Sequence, residues 1–292
     1  MSTHHPFKLA GVMGWPIAHS RSPIIHNYWI KKHNLNGAYV VLPVDPANLK
    51  NALKGLSALG FAGCNLTIPH KVMALPMVDR IDETSRRMGA INTIVVEADG
   101  SLSGYNNDGF GYIHSLKDAH PRWRADAGSV LIMGAGGAAR AVLVSLAEQG
   151  VKDIRVCNRT DRAAQDLAAE FSADFAQSND KAHGTSVKAI PWAQRHDAVA
   201  DISLLVNTSS QGMGNNLPLD LNLDLLPLTA LVSDVVYIPM ETPLLQAAKS
   251  RGNPTAGGLN MLLHQARPAF QTWFGMLPEV TPELVKLVEA TF

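Results

Sequence analysis

The feature that most constrains the fold is a glycine-rich turn between an apolar strand and an apolar helix. Residues 130–133 form an apolar run that predicts a buried strand, and residues 138–149 predict a helix that ends at Gly150. The turn between them, residues 134–139 (GAGGAA), matches G-x-G-x-x-A. Such a turn lets the backbone approach a pyrophosphate, which binds the free N–H groups at the helix start. The arrangement predicts a dinucleotide-binding fold.

The end of the following predicted strand distinguishes the two nicotinamide dinucleotides. An NAD-binding fold usually places an acidic residue there, about 20 residues after the loop, to bind the ribose 2′-OH. Here the strand ends in Asn158, Arg159 and Thr160, without an acid. An arginine binds a 2′-phosphate through two hydrogen bonds, whereas a carboxylate repels it. The sequence favours NADP, with the alternative that Arg159 is an ordinary surface charge and Thr160 a helix cap.

Strands and helices alternate along the chain. Strands are predicted in both halves, at 9–14, 38–44, 61–68, 91–96, 102–105, 130–133, 154–157, 204–206 and 231–236. This alternation predicts an α/β fold with mostly parallel sheets. At about 150 residues per domain, a chain of 292 residues corresponds to two domains.

Composition excludes several classes of protein. Lys and Arg total 25, as do Asp and Glu, so the chain lacks the basic excess of a general nucleic-acid binder. The most apolar stretch, residues 130–147, contains several glycines and Arg140, which argues against a membrane span. Cys64 and Cys157 fit a reducing compartment better than a disulfide scaffold and lack zinc-site spacing. With no signal-peptide core near the N-terminus, we expect a cytoplasmic protein.

The eleven histidines form no metal-binding motif with carboxylates, so no metal is expected. His26 and His264 are interpreted as packing or capping residues.

Polar residues near predicted strand ends form a second group of candidates, because open α/β sheets bind ligands at the carboxyl ends of their strands. Ser22, before Pro23, is interpreted as a helix N-cap, and Asn92 as a buried amide inside strand 91–96. Each candidate alone also has a structural explanation. The group comprises Ser20, Ser22, Thr67, Lys71, Asn92, Asn106 and Asp108.

Nine segments, in order, resemble motifs of the shikimate dehydrogenase family. They are 14–23 (GWPIAHSRSP), 63–71 (GCNLTIPHK), 89–93 (GAINT), 104–109 (GYNNDG), the loop at 134–139, 158–160 (NRT), 207–213 (NTSSQGM), 234–245 (DVVYIPMETPLL) and 258–265 (GLNMLLHQ). The resemblance implies an NADP-dependent oxidoreductase that reduces 3-dehydroshikimate to shikimate in aromatic amino-acid biosynthesis. It also implies two domains: an α/β substrate and catalytic domain (1–108 and 259–292) and a Rossmann-type NADP-binding domain (109–258).

The resemblance assigns roles residue by residue. Lys71 and Asp108 match the catalytic residues. The substrate-binding positions are Ser20, Ser22, Asn65, Thr67, Asn92, Tyr237 and Gln265. The cofactor-binding positions are Gly134, Gly136, Gly137, Ala138, Asn158, Arg159, Thr160, Met213, Gly258 and Met261. The expected partner is a small-molecule substrate, and the chain is expected to be a monomer or homodimer.

The chain also departs from the family pattern. Asn107 replaces the usual Thr, and Ala163 stands where a basic residue usually supplies a second 2′-phosphate contact. Gly257 and Asn260 replace the common Asp and Gly.

Two alternative functions stay open. One is a quinate/shikimate dehydrogenase that uses NAD or NADP, although Ser22 and Arg159 favour shikimate and NADP. The other is a non-catalytic NADP-sensing protein, which would be expected to have lost Lys71 and Asp108.

Overall fold

The computed structural model describes residues 6–292. The chain forms two compact units. Unit 1 contains the described residues up to Asn107 together with Leu263–Phe292, and unit 2 contains Asp108–Leu262. The predicted α/β fold class is confirmed. The domain assignment made from the sequence, with boundaries at 108 and 258, stays a prediction, and its residues 1–5 lie outside the described part.

Unit 1 is built on a mixed six-stranded sheet with the order β2-β1-β3-β5-β6-β4. β1 is parallel to β2 and β3, whereas β5 is antiparallel to β3 and β6. The strands are β1 (Lys8–Gly14), β2 (Gly37–Pro43), β3 (Phe61–Leu66), β4 (Arg80–Ile81), β5 (Thr93–Val96) and β6 (Leu102–Tyr105).

Four helices connect these strands: α1 (Ser22–Lys32), α2 (Leu49–Ala58), α3 (His70–Met73) and α4 (Glu83–Met88). In α2, Leu49, Leu53 and Leu56 recur at helical spacing and are buried in the same apolar cluster as Cys64 and Ile94 of the sheet. One face of α2 therefore anchors the helix to the sheet.

Unit 2 has a six-stranded sheet in which every adjacent pair is parallel, in the order β12-β11-β10-β7-β8-β9. Its strands are β7 (Ser129–Met133), β8 (Asp153–Cys157), β9 (Ser186–Ile190), β10 (Ile202–Asn207), β11 (Leu231–Asp234) and β12 (Thr255–Ala256). The chain runs outward from β7 through β8 and β9, and then from β10 in the opposite direction. Ligands of such sheets bind where this reversal occurs, at the carboxyl ends of β7 and β10.

The helices of unit 2 are α5 (Asp108–Ala119), α6 (Gly137–Gln149), α7 (Asp161–Gln177) and α8 (Pro243–Arg251). Most of α6 is buried, which explains why its sequence is apolar on nearly all sides. Gly150 ends this helix in the left-handed region at φ +102°, as the sequence predicts.

The chain then returns to unit 1 through α9 (Gly258–Phe274) and α10 (Pro282–Glu289). The indole N–H of Trp273 donates to the carbonyl of Ile94 at 3.1 Å, and that of Trp29 donates to the carbonyl of Glu279 at 3.0 Å. Both tryptophans are buried. The C-terminal helices are thus part of the core of unit 1.

Across the described residues, no helix is both long and apolar enough to cross a membrane. Cys64 and Cys157 are buried free thiols.

Candidate active site

The turn after β7 requires glycine at its first position. Gly134 has φ +117°, and a Cβ there would lie 2.6 Å from Oγ1 of Thr208. The N–H of Gly134 donates to the carbonyl of Cys157 at 2.8 Å, which joins the turn to the end of β8. The backbone at Gly134 therefore lies so close to Thr208 that there is no room for a side chain.

Gly136 and Gly137 lie in open space at the start of α6. A Cβ added at either position meets no atom within 4 Å. Gly136 is the N-cap and provides no side-chain cap, and the first N–H groups of an α-helix have no partner within the helix. Gly136, Gly137 and Ala138 lie at this start of α6, where backbone N–H groups without a partner within the helix are the kind of group that binds a pyrophosphate.

A cavity of about 170 Å³ lies beside this turn. It is lined by Met133, Gly134, Asn158, Arg159, Trp192, Ser209, Ser210, Gln211 and Leu219. The amide of Asn158 donates to the carbonyl of Thr160 at 3.0 Å and shapes the turn after β8. Arg159 forms no ion pair within residues 6–292, so its charge is available to an anion. Thr160 occupies the N-cap position of α7, but its side chain makes no cap hydrogen bond.

Six cavity-lining residues were not predicted as site residues, and one of them, Met133, is the last residue of β7. Ser209, Ser210 and Gln211 belong to the segment NTSSQGM that had been singled out in the sequence. Trp192 and Leu219 carried no signal, because the strand before Trp192, β9, was itself not predicted.

A buried carboxylate organises the carboxyl ends of β10 and β11. The amide of Asn207 donates to Oδ1 of Asp234 at 3.1 Å and to the carbonyl of Gln211 at 3.2 Å. Asp234 also accepts from the N–H of Val236 at 3.0 Å and from Oγ1 of Thr242 at 2.7 Å. Burial raises the pKa of Asp234 to about 6, and these hydrogen bonds oppose the rise.

This network fixes the segments that carry three predicted site residues. Met213, 47% exposed, ends the segment held by Asn207, and the half-buried Tyr237 follows Val236. Gly258 packs so closely on the same segment that a Cβ would collide with the carbonyl of Val235. Met261 lies one turn further along α9.

In unit 1, the structure brings Asn65 and Asn92 together. The Asn65 amide donates to the carbonyl of Asn92 and to Oγ1 of Thr93, both at 3.1 Å. Oγ1 of Thr93 donates to Oδ1 of Asn92 at 2.9 Å. Asn107, where the family usually has Thr, joins the same network through its backbone N–H to Oδ1 of Asn92 (3.0 Å) and its amide to Thr93 (3.0 Å).

Two details of the sequence interpretation are wrong in unit 1. Asn92 precedes β5 rather than lying inside a strand, although its N–H and carbonyl still bond to Tyr105 and Leu66. Ser22 is the first residue of α1 rather than its cap, and Arg21 takes the N-cap position without a side-chain cap bond. The N–H of Ser22 bonds to Oγ of Ser20 at 3.3 Å, because the chain turns sharply before the helix.

Other predicted residues of unit 1 surround this turn and the end of β3. Thr67 follows β3 and packs against Gly14, where a Cβ would lie 2.6 Å from Cγ2 of the threonine. Lys71 lies in α3, and its carbonyl accepts from the N–H of Ile91 at 2.9 Å. Gln265 is half-buried two turns into α9.

Lys71 and Asp108 belong to different units. Asp108 is the buried first residue of α5 and directly follows Asn107 in the chain. Asn106, another candidate, donates through its amide to the carbonyl of Ala90 at 2.9 Å. The roles assigned to these residues from the sequence stay predictions, as does the expected absence of a metal. Among the described residues, no three His, Cys, Asp or Glu side chains form a metal-binding group.

Comparison with known proteins gives consistent similarities. Residues 12–94 match the family model for the shikimate dehydrogenase substrate binding domain, and residues 118–184 match the model for shikimate / quinate 5-dehydrogenase. The chain is 44% identical to shikimate dehydrogenase (NADP(+)) of Paramagnetospirillum magneticum over 277 residues, which is 95% of this chain and 96% of that protein.

Two solved structures share the fold over nearly all of this chain. One is shikimate 5-dehydrogenase of Thermus thermophilus in complex with NADP(H) and shikimate, with a TM-score of 0.83 and 32% identity, covering 98% of this chain and 100% of that one. The other is quinate dehydrogenase of Corynebacterium glutamicum in complex with NAD, with a TM-score of 0.85 and 29% identity, covering 98% and 99%.

Proposed function

The chain belongs to the shikimate dehydrogenase family, and from that premise we propose that it catalyses the reversible, NADP-dependent reduction of 3-dehydroshikimate to shikimate. The observation that carries the proposal is the open start of α6 with Arg159 beside it at the cavity. A dinucleotide with a 2′-phosphate matches both features.

Residues of unit 2 are assigned to each part of NADP. Gly136, Gly137 and Ala138 bind the pyrophosphate through the start of α6, and Gly134 supplies the turn. The 2′-phosphate is bound by Arg159, with Asn158 and Thr160 forming the surrounding turn. The nicotinamide end is bounded by Met213, Gly258 and Met261. Bound NADP supplies the hydride acceptor or donor of the reaction.

The residues of unit 1 supply groups for a polyhydroxylated acid. Ser20 and Ser22 donate hydroxyl hydrogen bonds to the substrate carboxylate. The ring hydroxyls are assigned to Asn65, Thr67, Asn92 and Gln265, and the assignment made from the sequence adds Tyr237, which is a residue of unit 2. The mutual hydrogen bonds of Asn65, Asn92 and Thr93 support this assignment, because they hold the amides in fixed orientations before substrate binds.

Lys71 is assigned to the proton that the reacting oxygen gains or loses. The ammonium form donates a proton to the oxygen as the carbonyl is reduced, and the neutral amine accepts the hydroxyl proton in the reverse direction. Asp108 is assigned to accept a hydrogen bond from a substrate hydroxyl.

The proposal is tested by steady-state assays with shikimate or quinate, each with NADP or NAD. We expect the highest kcat/KM for shikimate with NADP. A higher value for quinate or for NAD would contradict the substrate or cofactor assignment, and the Corynebacterium neighbour makes both comparisons necessary. Binding of NADP without turnover of either acid would favour a non-catalytic sensing role.

We also propose that the protein acts in the cytoplasm as a monomer or homodimer. The two buried free thiols, Cys64 and Cys157, support a reducing compartment. Measurement of the solution mass by light scattering would distinguish the two assembly states, and a larger mass would exclude both.

A further inference from the structure

Trp192 is an aromatic residue at the cavity to which neither the sequence nor the family resemblance assigned a role. It begins a short 3-10 helix (Trp192–Gln194) after β9 and lines the cavity together with Arg159 and Leu219. Among the described residues that line this cavity, Trp192 is the one aromatic. The cavity therefore combines an apolar wall with a cationic group at its edge.

The backbone of Trp192 is tied to the turn that carries Arg159. Its N–H donates to Oδ1 of Asp161 at 2.7 Å, and Asp161 lies two residues after Arg159. This bond links the end of β9 to the start of α7. The indole of Trp192 and the guanidinium of Arg159 are thus carried by segments that this hydrogen bond joins.

Arg195 holds the indole ring from one side. Its guanidinium lies over the ring of Trp192, 4.6 Å from the centroid, and donates to the carbonyl of Trp192 at 2.9 Å. The same guanidinium donates to the carbonyl of Asp220 at 2.7 Å, which fixes it in turn. A side chain held in this way loses little conformational freedom when a ligand binds.

We propose that Trp192 forms the wall of the adenine subsite and contacts the base of NADP. The inference rests on the proposed function, which places the 2′-phosphate on Arg159. A base attached to the ribose that carries this phosphate must lie beside Arg159, and the indole is the aromatic surface available there. Contact between a base and an aromatic side chain is favourable for any base, so Trp192 contributes affinity rather than choice of base.

The test uses adenosine 2′,5′-bisphosphate, which carries the base and the 2′-phosphate but no nicotinamide. Its binding to the full-length protein is measured by titration calorimetry for the wild type, Trp192→Ala and Trp192→Phe. We expect Trp192→Ala to weaken binding about tenfold and Trp192→Phe to stay within about twofold of the wild type. Trp123→Ala is the matched control, because Trp123 is a partly exposed tryptophan of unit 2 outside the cavity lining.

Adenosine 5′-monophosphate separates a contact with the base from a general disturbance of the phosphate site. Trp192→Ala should weaken the binding of both nucleotides by the same factor, because both carry adenine. Arg159→Ala should weaken the binding of the bisphosphate only, because adenosine 5′-monophosphate has no 2′-phosphate. Thermal unfolding of each variant by circular dichroism verifies that unit 2 is folded.

The outcomes distinguish this inference from the function on which it rests. If the wild type binds the bisphosphate and Trp192→Ala binds it equally well, the adenine role is excluded while the cofactor assignment stands. If Trp192→Ala weakens only the bisphosphate, the tryptophan acts through Arg159 and the inference is overturned. If the wild type binds neither nucleotide, the NADP assignment fails and this inference fails with it.

Discussion

The imidazole of His26 is stacked on the phenol ring of Tyr39, with ring centroids 4.1 Å apart and planes within 3° of parallel. Both residues are buried, and Trp29, Phe270 and Trp273 pack around the imidazole. The Tyr39 hydroxyl donates to Oδ1 of Asn65 at 2.7 Å. The aromatic cluster of unit 1 therefore supports a residue assigned to substrate binding.

Protonation of His26 is expected to oppose folding. Burial lowers the pKa of His26 to about 3, against 6.5 in an unfolded chain. Between these values the unfolded chain binds a proton that the folded one does not, so stability is lost as the pH falls below 6.5. Relative to His26→Phe, the wild type should lose about 3 kcal/mol of unfolding free energy between pH 7 and pH 4.5. Urea unfolding at both pH values measures this, and equal losses in the two proteins would contradict it.

Loss of the Tyr39 hydroxyl should affect the substrate and not the cofactor. Tyr39→Phe keeps the stacking on His26 but removes the donor that holds Asn65. We expect KM for shikimate to rise several-fold while KM for NADP is unchanged, since one net hydrogen bond is worth about 1 kcal/mol. Tyr28→Phe is the control, because it removes a hydroxyl of unit 1 that bonds to Thr281 instead. A rise in both KM values would indicate a general structural effect.

Lys71→Ala should lower kcat by about 100-fold or more with a smaller change in KM, as expected for removal of an acid–base group. Lys54→Ala, an exposed lysine on α2, should leave kcat unchanged. Both variants are assayed with shikimate and NADP at saturating concentrations. An unchanged kcat for Lys71→Ala would remove this lysine from the chemistry.

Arg159→Ala should raise KM for NADP much more than KM for NAD, because only NADP carries the 2′-phosphate. The neighbouring Arg162 provides the control. It is paired with Asp166 on α7, so Arg162→Ala should change the two KM values little. Equal effects of Arg159→Ala on both cofactors would exclude the phosphate contact.

The raised pKa of Asp234 predicts that stability falls as the pH rises, which is opposite to the effect of His26. Its pKa is raised by burial from 3.8 to about 6, so the folded protein holds the proton more tightly than the unfolded chain. Its contribution to stability is present below pH 4 and is lost as the pH rises through 6. The unfolding free energy of the wild type, relative to Asp234→Asn, should fall by about 2 kcal/mol between pH 4 and pH 7. A difference that stays constant across this range would contradict the shift.

Local sequence was sufficient to predict the dinucleotide turn. A strand, a glycine with positive φ and a helix are consecutive in the chain, so Gly134 and Gly136 could be recognised without knowledge of distant contacts. The polar groups at strand ends were also found this way. Their partners were not, because the bonds of Asn92 to Asn65 and Asn107 join segments that are distant in sequence.

The missed residues depend on tertiary structure. Trp192 reaches the cavity because β9 pairs with β8 at the sheet edge, and the strand Ser186–Ile190 is too weakly apolar to be recognised alone. Ser22 has the residue type of a helix cap, but the turn bonded to Ser20 starts the helix one residue earlier. Tyr39 looks like an ordinary strand residue until β2 is placed beside β1.

The return of the chain to unit 1 through α9 and α10 has a consequence for biosynthesis. Trp29 and the strand residue Ile94 are made early, yet their bonding partners, Glu279 and Trp273, emerge from the ribosome after all of Asp108–Leu262. Unit 2 is continuous in sequence and can fold as soon as it has emerged, whereas unit 1 must wait with an unfinished core. The nascent chain therefore completes unit 2, which lies in the middle of the sequence, before it completes unit 1.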